Sequence, residues 1–277
     1  MIIDFHAHIF PPEIAGGRGR FLDDENFRLL YESPSSRMIH GGELLSVMDR
    51  TGLDRAVCMG FPWKTEKYRV LQNDYLARAA DESGGRLIPF MSMPRDDNSA
   101  LAKEARALRE MGAAGIGEVA FYTDGFGKEQ EQYLASLLEA AKAAGLPVCL
   151  HVNEPVGHRY PGKYEPELGR LFGILSSFPG HPVVLSHWGG GLFFYELMPE
   201  VRKALASACY DTAASPYIYG DDIYSAARGI IGAERILFGT DCPLLEAGRY
   251  LPQVEKYFPG DESEMVLGGN ARRILGL

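Results

Sequence analysis

The chain has 277 residues, 46% of them hydrophobic and 23% charged, which is typical of a soluble globular protein with a substantial core. Its formal net charge of -9 argues against a nucleic-acid partner, because phosphate binding requires a positively charged surface. No apolar run approaches the ~20 residues of a membrane helix, no leader-like segment precedes the first strand, and four scattered cysteines suggest reduced thiols, so we expect a cytoplasmic protein.

The first predicted element is a strand over Ile2–His6, within the run IIDFHAHIF. Side chains alternate along a strand, so we expect Asp4, His6 and His8 on one face, with the two imidazoles about 6.6 Å apart at ~3.3 Å per residue. Imidazoles at that spacing can converge on one ion. Taken alone, the pair is equally compatible with polar residues on an exposed edge strand.

The next segment, about residues 9–42, is rich in proline, glycine and charge and interrupts the regular pattern of the chain. Long insertions of this kind are usually functional lids or disordered segments. Because it leaves directly from the strand that carries the histidine pair, we expect it to emerge at the active face as a lid-like insertion.

Seven more strand-like runs follow, separated by amphipathic stretches such as GELLSVMDRTG and EQYLASLLEAAKAAG, which end at a glycine. The predicted strands are Arg55–Gly60, Leu87–Met91, Gly115–Val119, Pro147–His151, Val183–His187, Ala208–Asp211 and Ile236–Gly239. Strands alternating with helices predict an α/β fold, and eight strands predict a (β/α)8 TIM barrel forming one domain over residues 1–277. A doubly wound open sheet is the rival, but no GxGxxG motif follows the first strand.

Residues that suit metal binding stand at the ends of four later strands: Glu118, His151, His187 and Asp241. Each alone has an ordinary structural explanation, such as a hydrogen-bonded histidine or an Asx turn. In a parallel barrel, however, all strand ends open onto one face, so these four residues and the histidine pair should meet there. Together they predict a divalent metal site, with zinc as the expected ion and manganese, iron or nickel as alternatives. Asp211 also ends a strand and could at most support the ligands.

Five further residues are weaker candidates for contacts with a small-molecule substrate: Phe10, Trp63, Trp188, His158 and Arg159. The three aromatic residues follow predicted strands, where rings are at least as often core or lid packing. A guanidinium can hold a substrate carboxylate through two hydrogen bonds, but charged residues in a loop are more often simply solvated.

The ordered motifs DFHAH, LH, SHWGG, FGTDCP and GGNARRIL resemble the amidohydrolase superfamily across essentially the whole chain. The resemblance is strongest to amidohydrolase family 2, the aminocarboxymuconate-semialdehyde-decarboxylase-like group. It implies that His6, His8, His151 and Asp241 are metal ligands. It also implies that His187 binds a second metal or acts as an acid/base that orients the substrate.

One position departs from the pattern of many superfamily members, which bridge two metals with a carboxylated lysine at the end of strand four. Here the run GIGEVAFY has no lysine, and Glu118 takes that place. The arrangement is similar to the TatD-like deoxyribonucleases and other glutamate-bridged branches. In the decarboxylase branch one metal suffices, so the glutamate could there be incidental.

These observations lead to one expected function and two alternatives. With Glu118 as a bridge, we expect a hydrolase that acts on an amide, lactone or other ester through a metal-activated water, with Asp241 exchanging protons with that water. The first alternative is non-oxidative decarboxylation of an aromatic or unsaturated carboxylic acid, with His187 and Asp241 handling the proton delivered to carbon. The second is a non-catalytic, metal-stabilised binding barrel. Homodimers are common among similar proteins, so a homodimer is possible.

Overall fold

Eight parallel strands form one sheet in the computed structural model, which describes residues 1–95 and 97–277. The strands are β1 (Ile3–His8), β2 (Arg55–Met59), β3 (Leu87–Met91), β4 (Gly115–Val119), β5 (Val148–Leu150), β6 (Val183–Leu185), β7 (Ala208–Asp211) and β8 (Ile236–Leu237). Their order in the sheet is their order in the chain, with helices between them. The predicted TIM-barrel architecture is therefore confirmed.

Backbone hydrogen bonds bring the end of the sheet back to its beginning. The amide of Phe5 donates to the carbonyl of Phe238 at 2.8 Å, and the amide of Asp241 donates to the carbonyl of His6 at 2.8 Å. This contact places Asp241 beside the histidine pair, although the two lie near opposite ends of the chain.

Helices surround the sheet, and several of them are short helices within the loops between strands. They are α1 (Pro12–Ala15), α2 (Glu25–Tyr31), α3 (Gly41–Thr51), α4 (Glu66–Glu82), α5 (Leu101–Glu110), α6 (Lys128–Ala144), α7 (Leu168–Ser176), α8 (Pro199–Ala204), α9 (Ser215–Ile218), α10 (Asp222–Ile231), α11 (Leu251–Tyr257), α12 (Asp261–Glu264) and α13 (Asn270–Leu275). Two of them end at the glycines that the sequence indicates, since Gly52 after α3 and Gly145 after α6 adopt the left-handed conformation. None of these helices of the described chain combines the length and apolar character needed to cross a bilayer.

Two apolar layers form the core of the barrel, and a third buried cluster, which includes Phe10, Phe27 and Trp63, packs the 9–42 segment. The inner layer is built from strand residues, namely Ile3, Phe5, Val57, Met59, Ile88, Phe90, Cys149, Val184, Cys209 and Leu237, together with Ala271. The outer layer joins strand residues such as Cys58 to helix residues such as Leu137. On β1, β5, β6 and β8 the inner-layer residues precede the candidate ligands, so this layer closes the barrel beneath the site.

A β-bulge in β1 decides which side chains face the barrel interior. The pairing of β1 with β2 shifts between Asp4 and Ala7. Phe5 packs in the inner layer, whereas Ala7 packs in the outer layer, so the alternation of side chains changes within the strand. A bulge adds one residue to one strand of a pair, and here it leaves His6 and His8 on the inner side.

Asp4 does not share the face of the two histidines, and that expectation is wrong because of the bulge. Its carboxylate instead accepts hydrogen bonds from the backbone amide of Thr240 at 3.0 Å and from the Thr240 hydroxyl at 2.6 Å. Burial raises the pKa of Asp4 to about 6, although these hydrogen bonds oppose the rise. Asp4 therefore holds the loop after β8 against β1.

The segment of residues 9–42 is folded, with α1, a 3-10 turn and α2 in its length. Phe27 stacks on Trp63, which follows β2, with ring centroids 4.9 Å apart. The carboxylate of Asp24 accepts a hydrogen bond from the backbone amide of Lys64 at 2.8 Å. The segment is thus packed against the loop after β2, and its action as a lid stays a prediction.

Candidate active site

The six candidate ligands meet at the carboxyl ends of the strands. They are His6, His8, Glu118, His151, His187 and Asp241, and they come from β1, β4 and the residues just after β5, β6 and β8. Strand β1 reaches His8, two residues beyond its predicted end, whereas β5, β6 and β8 end before their ligand residues.

Three of these side chains form a group that we call the His6 trio: His6, His8 and Asp241. The Nε2 atoms of His6 and His8 lie 3.1 Å apart, and Asp241 Oδ1 lies 3.3 Å from His8 Nε2 and 3.8 Å from His6 Nε2. Ligand atoms about 2.1 Å from one ion stand roughly 3 to 3.5 Å apart. The trio therefore fits a divalent cation, and its members His8 and Asp241 are partly exposed, at 12% and 17%.

A second group, the Glu118 trio, comprises Glu118, His151 and His187. Glu118 Oε1 lies 2.9 Å from His151 Nδ1 and 3.6 Å from His187 Nε2, and the two nitrogens are 3.1 Å apart. The same carboxylate reaches the first trio, with Oε1 3.7 Å from His6 Nε2 and Oε2 3.9 Å from His8 Nε2. Glu118 thus belongs to the second trio and also reaches the first, and each trio has the spacing of metal ligands.

Asp211 and a backbone carbonyl orient two of the imidazoles. Asp211 Oδ2 lies 2.9 Å from His6 Nδ1, while Asp211 Oδ1 accepts the backbone amide of His187 at 2.8 Å. His187 Nδ1 lies 3.0 Å from the carbonyl oxygen of Ala213. A carbonyl only accepts, so Nδ1 carries a proton and Nε2 is the atom that faces Glu118. Such supporting contacts are typical of histidines in metal sites.

The sequence did not predict the polar network that lies behind His151. The side-chain amide nitrogen of Asn153 lies 3.0 Å from His151 Nε2 and 3.0 Å from the Tyr160 hydroxyl. That hydroxyl donates to Glu154 Oε2 at 2.9 Å, and Lys163 Nζ lies 3.5 Å from the same oxygen. These residues belong to the loop after β5, where polar residues follow no periodic pattern that would single them out.

Opposite charges dominate the interior of the site. Burial alone would raise the pKa of Glu118, but the charges of His151 and His6 hold it well below its usual value. Burial alone would lower the pKa of His6, but the charges of Asp211 and Glu118 raise it well above its usual value. Without a cation, protons on the histidines neutralise the carboxylates, and a cation can replace those protons.

The pKa values of the two candidate catalytic residues, His187 and Asp241, are shifted in opposite directions. Burial alone would lower the pKa of His187, but the nearby carboxylates of Glu118 and Asp241 raise the pKa to about 9. Burial alone would raise the pKa of Asp241, but its hydrogen bond to His8 holds it well below the usual range. At neutral pH the imidazole is therefore charged and the carboxylate is ionised.

The motif HWGGG makes a left-handed turn directly after β6. Residues 187–191 all have φ between 56° and 88°, a region that glycine adopts without strain. A Cβ atom on Gly190 would lie 2.1 Å from the carbonyl oxygen of Asn153, so only glycine fits there. The turn directs His187 toward Glu118 and brings the β6 loop against the β5 loop.

The three aromatic candidates are buried. Phe10, Trp63 and Trp188 are at most 2% exposed. The ring of Phe10 packs edge-on against Phe27, and the indole N–H of Trp188 donates to Ser215. These contacts are within the protein, and the role of the three residues in substrate binding stays a prediction.

His158 and Arg159 lie at the surface of the loop after β5, and both are exposed. Within residues 1–95 and 97–277, neither side chain forms a hydrogen bond or an ion pair. Their substrate-binding role stays a prediction.

Two tyrosines at the mouth of the site, Tyr31 and Tyr122, were not predicted from the sequence. The hydroxyl of Tyr122 lies 3.4 Å from Glu118 Oε2, and its ring centroid is 5.0 Å from that of His151. Burial raises the pKa of Tyr31, and the negative charges of Asp241 and Glu118 raise it further. Tyr122 stands four residues after Glu118, a position that could have signalled it, whereas Tyr31 arrives from the 9–42 segment.

Residues 3–277 match the family described as amidohydrolase. The chain belongs to this family. The resemblance noted in the motifs is thereby confirmed, and the roles of the individual site residues stay predictions. No curated protein matches the chain.

Solved structures of similar fold include two decarboxylases. One is 5-carboxyvanillate decarboxylase LigW from Sphingomonas paucimobilis, with 17% identity, a TM-score of 0.78 and coverage of 100% of this chain and 99% of that chain. Another is a dihydroxybenzoic acid decarboxylase from Polaromonas sp. JS666 with bound manganese and the inhibitor 2-nitroresorcinol, with 19% identity, a TM-score of 0.72 and coverage of 100% and 97%.

A hydrolase shares the fold as well. It is a probable 2-pyrone-4,6-dicarboxylic acid hydrolase from Acinetobacter baumannii, with 13% identity, a TM-score of 0.64 and coverage of 100% of this chain and 99% of that chain. At these identities the likeness concerns the fold.

Proposed function

We propose that this amidohydrolase is a metal-dependent decarboxylase that releases CO2, without an oxidant, from an aromatic or unsaturated carboxylic acid. The observation that carries the proposal is the position of His187 beside a metal-binding group: its Nε2 lies 3.6 Å from Glu118 Oε1, and that oxygen lies 3.7 Å from His6 Nε2 of the His6 trio. Full-length similarity to two decarboxylases supports the same choice. Hydrolysis becomes the second candidate.

The His6 trio would hold the divalent cation. Two imidazoles and a carboxylate suit zinc or manganese, and manganese is the ion bound in the Polaromonas enzyme. When bound, the cation supplies positive charge that binds and polarises an anionic oxygen of the substrate. His8 and Asp241 are the partly exposed members of the trio, so the substrate would approach from their side.

His187 is the proposed proton donor. In decarboxylation a proton adds to the carbon that bears the carboxylate, the bond between that carbon and the carboxylate breaks, its electron pair stays on the carbon, and CO2 leaves. His187 is protonated below its pKa of about 9, and its Nε2 faces inward because Nδ1 is bound to Ala213. Asp241 is ionised, and its negative charge orients the His187 imidazole. After the reaction, Asp241 takes part in transferring a proton from water back to that imidazole.

Aromatic rings surround the mouth of the site. The ring centroids of Tyr31 and Phe61 are 5.8 Å apart, and those of Phe61 and Tyr122 are 6.3 Å apart. A wall of rings beside a cation site suits a planar, negatively charged molecule. This lining supports an aromatic acid as the substrate.

The proposed reaction is tested by assaying the protein, loaded with manganese or with zinc, for CO2 release from 2,6-dihydroxybenzoate and 5-carboxyvanillate. We expect CO2 to form in step with loss of the acid. The same preparations are assayed against a panel of esters and lactones. Hydrolysis of one of these without CO2 release from any acid would contradict the proposal, and turnover of no compound by metal-loaded protein would favour the non-catalytic binding barrel.

Hydrolysis of an amide, lactone or other ester is the second candidate because of the Glu118 trio. Its three donor atoms have the spacing of ligands to a second cation, and Glu118 would then bridge the two ions. In that case His187 would be a ligand and Asp241 would accept the proton of the attacking water. The two candidates therefore differ in whether His187 Nε2 carries a proton or binds a metal.

Decarboxylation should slow as the pH rises toward 9. His187 loses its proton as the pH passes through its pKa of about 9, and a nearby cation moves that pKa downward, so the decline begins at or below pH 9. The measurement is kcat as a function of pH with manganese-loaded protein. The exposed His158→Gln variant should show the same decline, whereas a rate that increases steadily with pH would contradict an acid role for His187.

A homodimer, expected from the sequence, stays a prediction.

A further inference from the structure

The hydroxyl of Tyr31 is a hydrogen-bond donor at the mouth of the site. Among residues 1–95 and 97–277, this hydroxyl has no hydrogen-bond partner, and the side chain is only half-buried. By contrast, the neighbouring Tyr122 hydroxyl already has Glu118 Oε2 at 3.4 Å. Tyr31 therefore has hydrogen-bonding capacity that the protein itself does not use.

Three rings hold the Tyr31 ring in one orientation. It stacks on Phe27 with centroids 5.0 Å apart, and it meets Phe10 and Phe61 edge-on at 5.1 and 5.8 Å. These three contacts fix the orientation of the ring and therefore the direction of its hydroxyl. An oriented donor costs little conformational entropy when a ligand binds.

The backbone that carries Tyr31 is also anchored. The guanidinium of Arg18 donates to the carbonyl oxygens of Tyr31 at 3.3 Å and Ser36 at 3.0 Å. The Asn26 side chain on the same helix, α2, donates to the carbonyl of Pro62 at 2.7 Å and accepts from the Thr123 hydroxyl at 2.8 Å. The segment is thus tied to the loops after β2 and β4, and Tyr31 is held over the site.

Charge determines what this hydroxyl can recognise. The phenol of Tyr31 is protonated at neutral pH, because the ordinary pKa of a tyrosine side chain is about 10. A protonated phenol donates one hydrogen bond, and an oxygen of an anionic ligand is the strongest acceptor for it. A ligand bound at the His6 trio would bring such an oxygen to this place.

We propose that Tyr31 is a specificity-determining residue that donates a hydrogen bond to an oxygen substituent of the aromatic ligand. The site would thereby prefer oxygen-substituted aromatic molecules over unsubstituted ones. This inference rests on one part of the proposed function, namely that the ligand binds at the His6 trio. It assigns to the 9–42 segment a role in recognition that does not depend on opening or closing.

The test compares two ligands that cannot be decarboxylated, because neither has a carboxyl group: 2-nitroresorcinol and nitrobenzene. Their Kd values are measured by calorimetric titration of manganese-loaded wild type, Tyr31→Phe and the control Tyr217→Phe, which removes an exposed hydroxyl from the loop after β7. We expect Tyr31→Phe to weaken binding of 2-nitroresorcinol about 10- to 100-fold and to leave nitrobenzene unchanged. The control should bind both as wild type does.

Binding of 2-nitroresorcinol to Tyr31→Phe with the wild-type Kd would overturn the inference, as would a wild type that binds neither ligand. Metal content and circular dichroism of the variant should match those of wild type, because phenylalanine keeps the ring contacts. If no acid releases CO2 but the variant still loses affinity for 2-nitroresorcinol, the proposed reaction fails and the role of Tyr31 stands. If CO2 is released and the variant binds normally, the reaction stands and the role of Tyr31 fails.

Discussion

Asp241→Asn is expected to lower kcat/KM for decarboxylation about 10³-fold. Asparagine keeps the size of the side chain but removes the negative charge that faces His8 and His6 at 3.3 and 3.8 Å. It therefore weakens the cation site and removes a group that takes part in returning the proton. The measurement is steady-state CO2 release together with elemental analysis of the bound metal.

The matched control is Asp221→Asn, which removes the same charge from an exposed position outside both trios. It should keep wild-type activity and metal content. An Asp241→Asn enzyme with activity near that of wild type, measured at saturating metal, would contradict both the proposed metal site and the proposed proton path.

Glu118→Gln is expected to leave about one cation per chain and to lower kcat by about 10- to 100-fold. In the one-metal proposal, Glu118 is the charge that keeps His187 protonated, with Oε1 3.6 Å from His187 Nε2. Without that charge the pKa of His187 falls and the imidazole is less charged at neutral pH. The measurements are metal content per chain and the pH dependence of kcat, whose decline should move to lower pH.

The opposite result would identify the hydrolase. Two cations per wild-type chain, falling to one or none in Glu118→Gln, would show that the carboxylate bridges a second metal, and the esters and lactones of the panel would become the first compounds to assay. Glu129→Gln, at an exposed position near the start of α6, is the control that should leave metal content unchanged.

The barrel and most of its candidate ligands could be predicted from the sequence. Runs of β-branched residues alternate with amphipathic stretches, and each ligand position follows such a run, so the position of Glu118 or His187 in the βα period is visible in the chain itself. The failure at Asp4 has a local cause. A bulge leaves no reliable mark in the sequence, yet it reverses the face on which every preceding side chain lies.

The supporting residues were harder to predict. Asp211 ends a strand and could be suspected, but its two contacts, with His6 and with the backbone of His187, depend on how β7 packs beside β1 and β6. Tyr31 belongs to a segment without clear periodicity, and only its packing against Phe10 and Phe27 brings its hydroxyl to the site.

By itself the sequence determined the fold class, the positions of the six candidate ligands along the strands and the family, because residue chemistry and periodicity are local properties of the chain. The tertiary structure alone decided that these ligands form two trios joined by Glu118, that Asp4 belongs to neither, and that Tyr31 faces the same mouth. Such distances are set by how segments far apart in the chain pack around a closed barrel, and no local pattern encodes them.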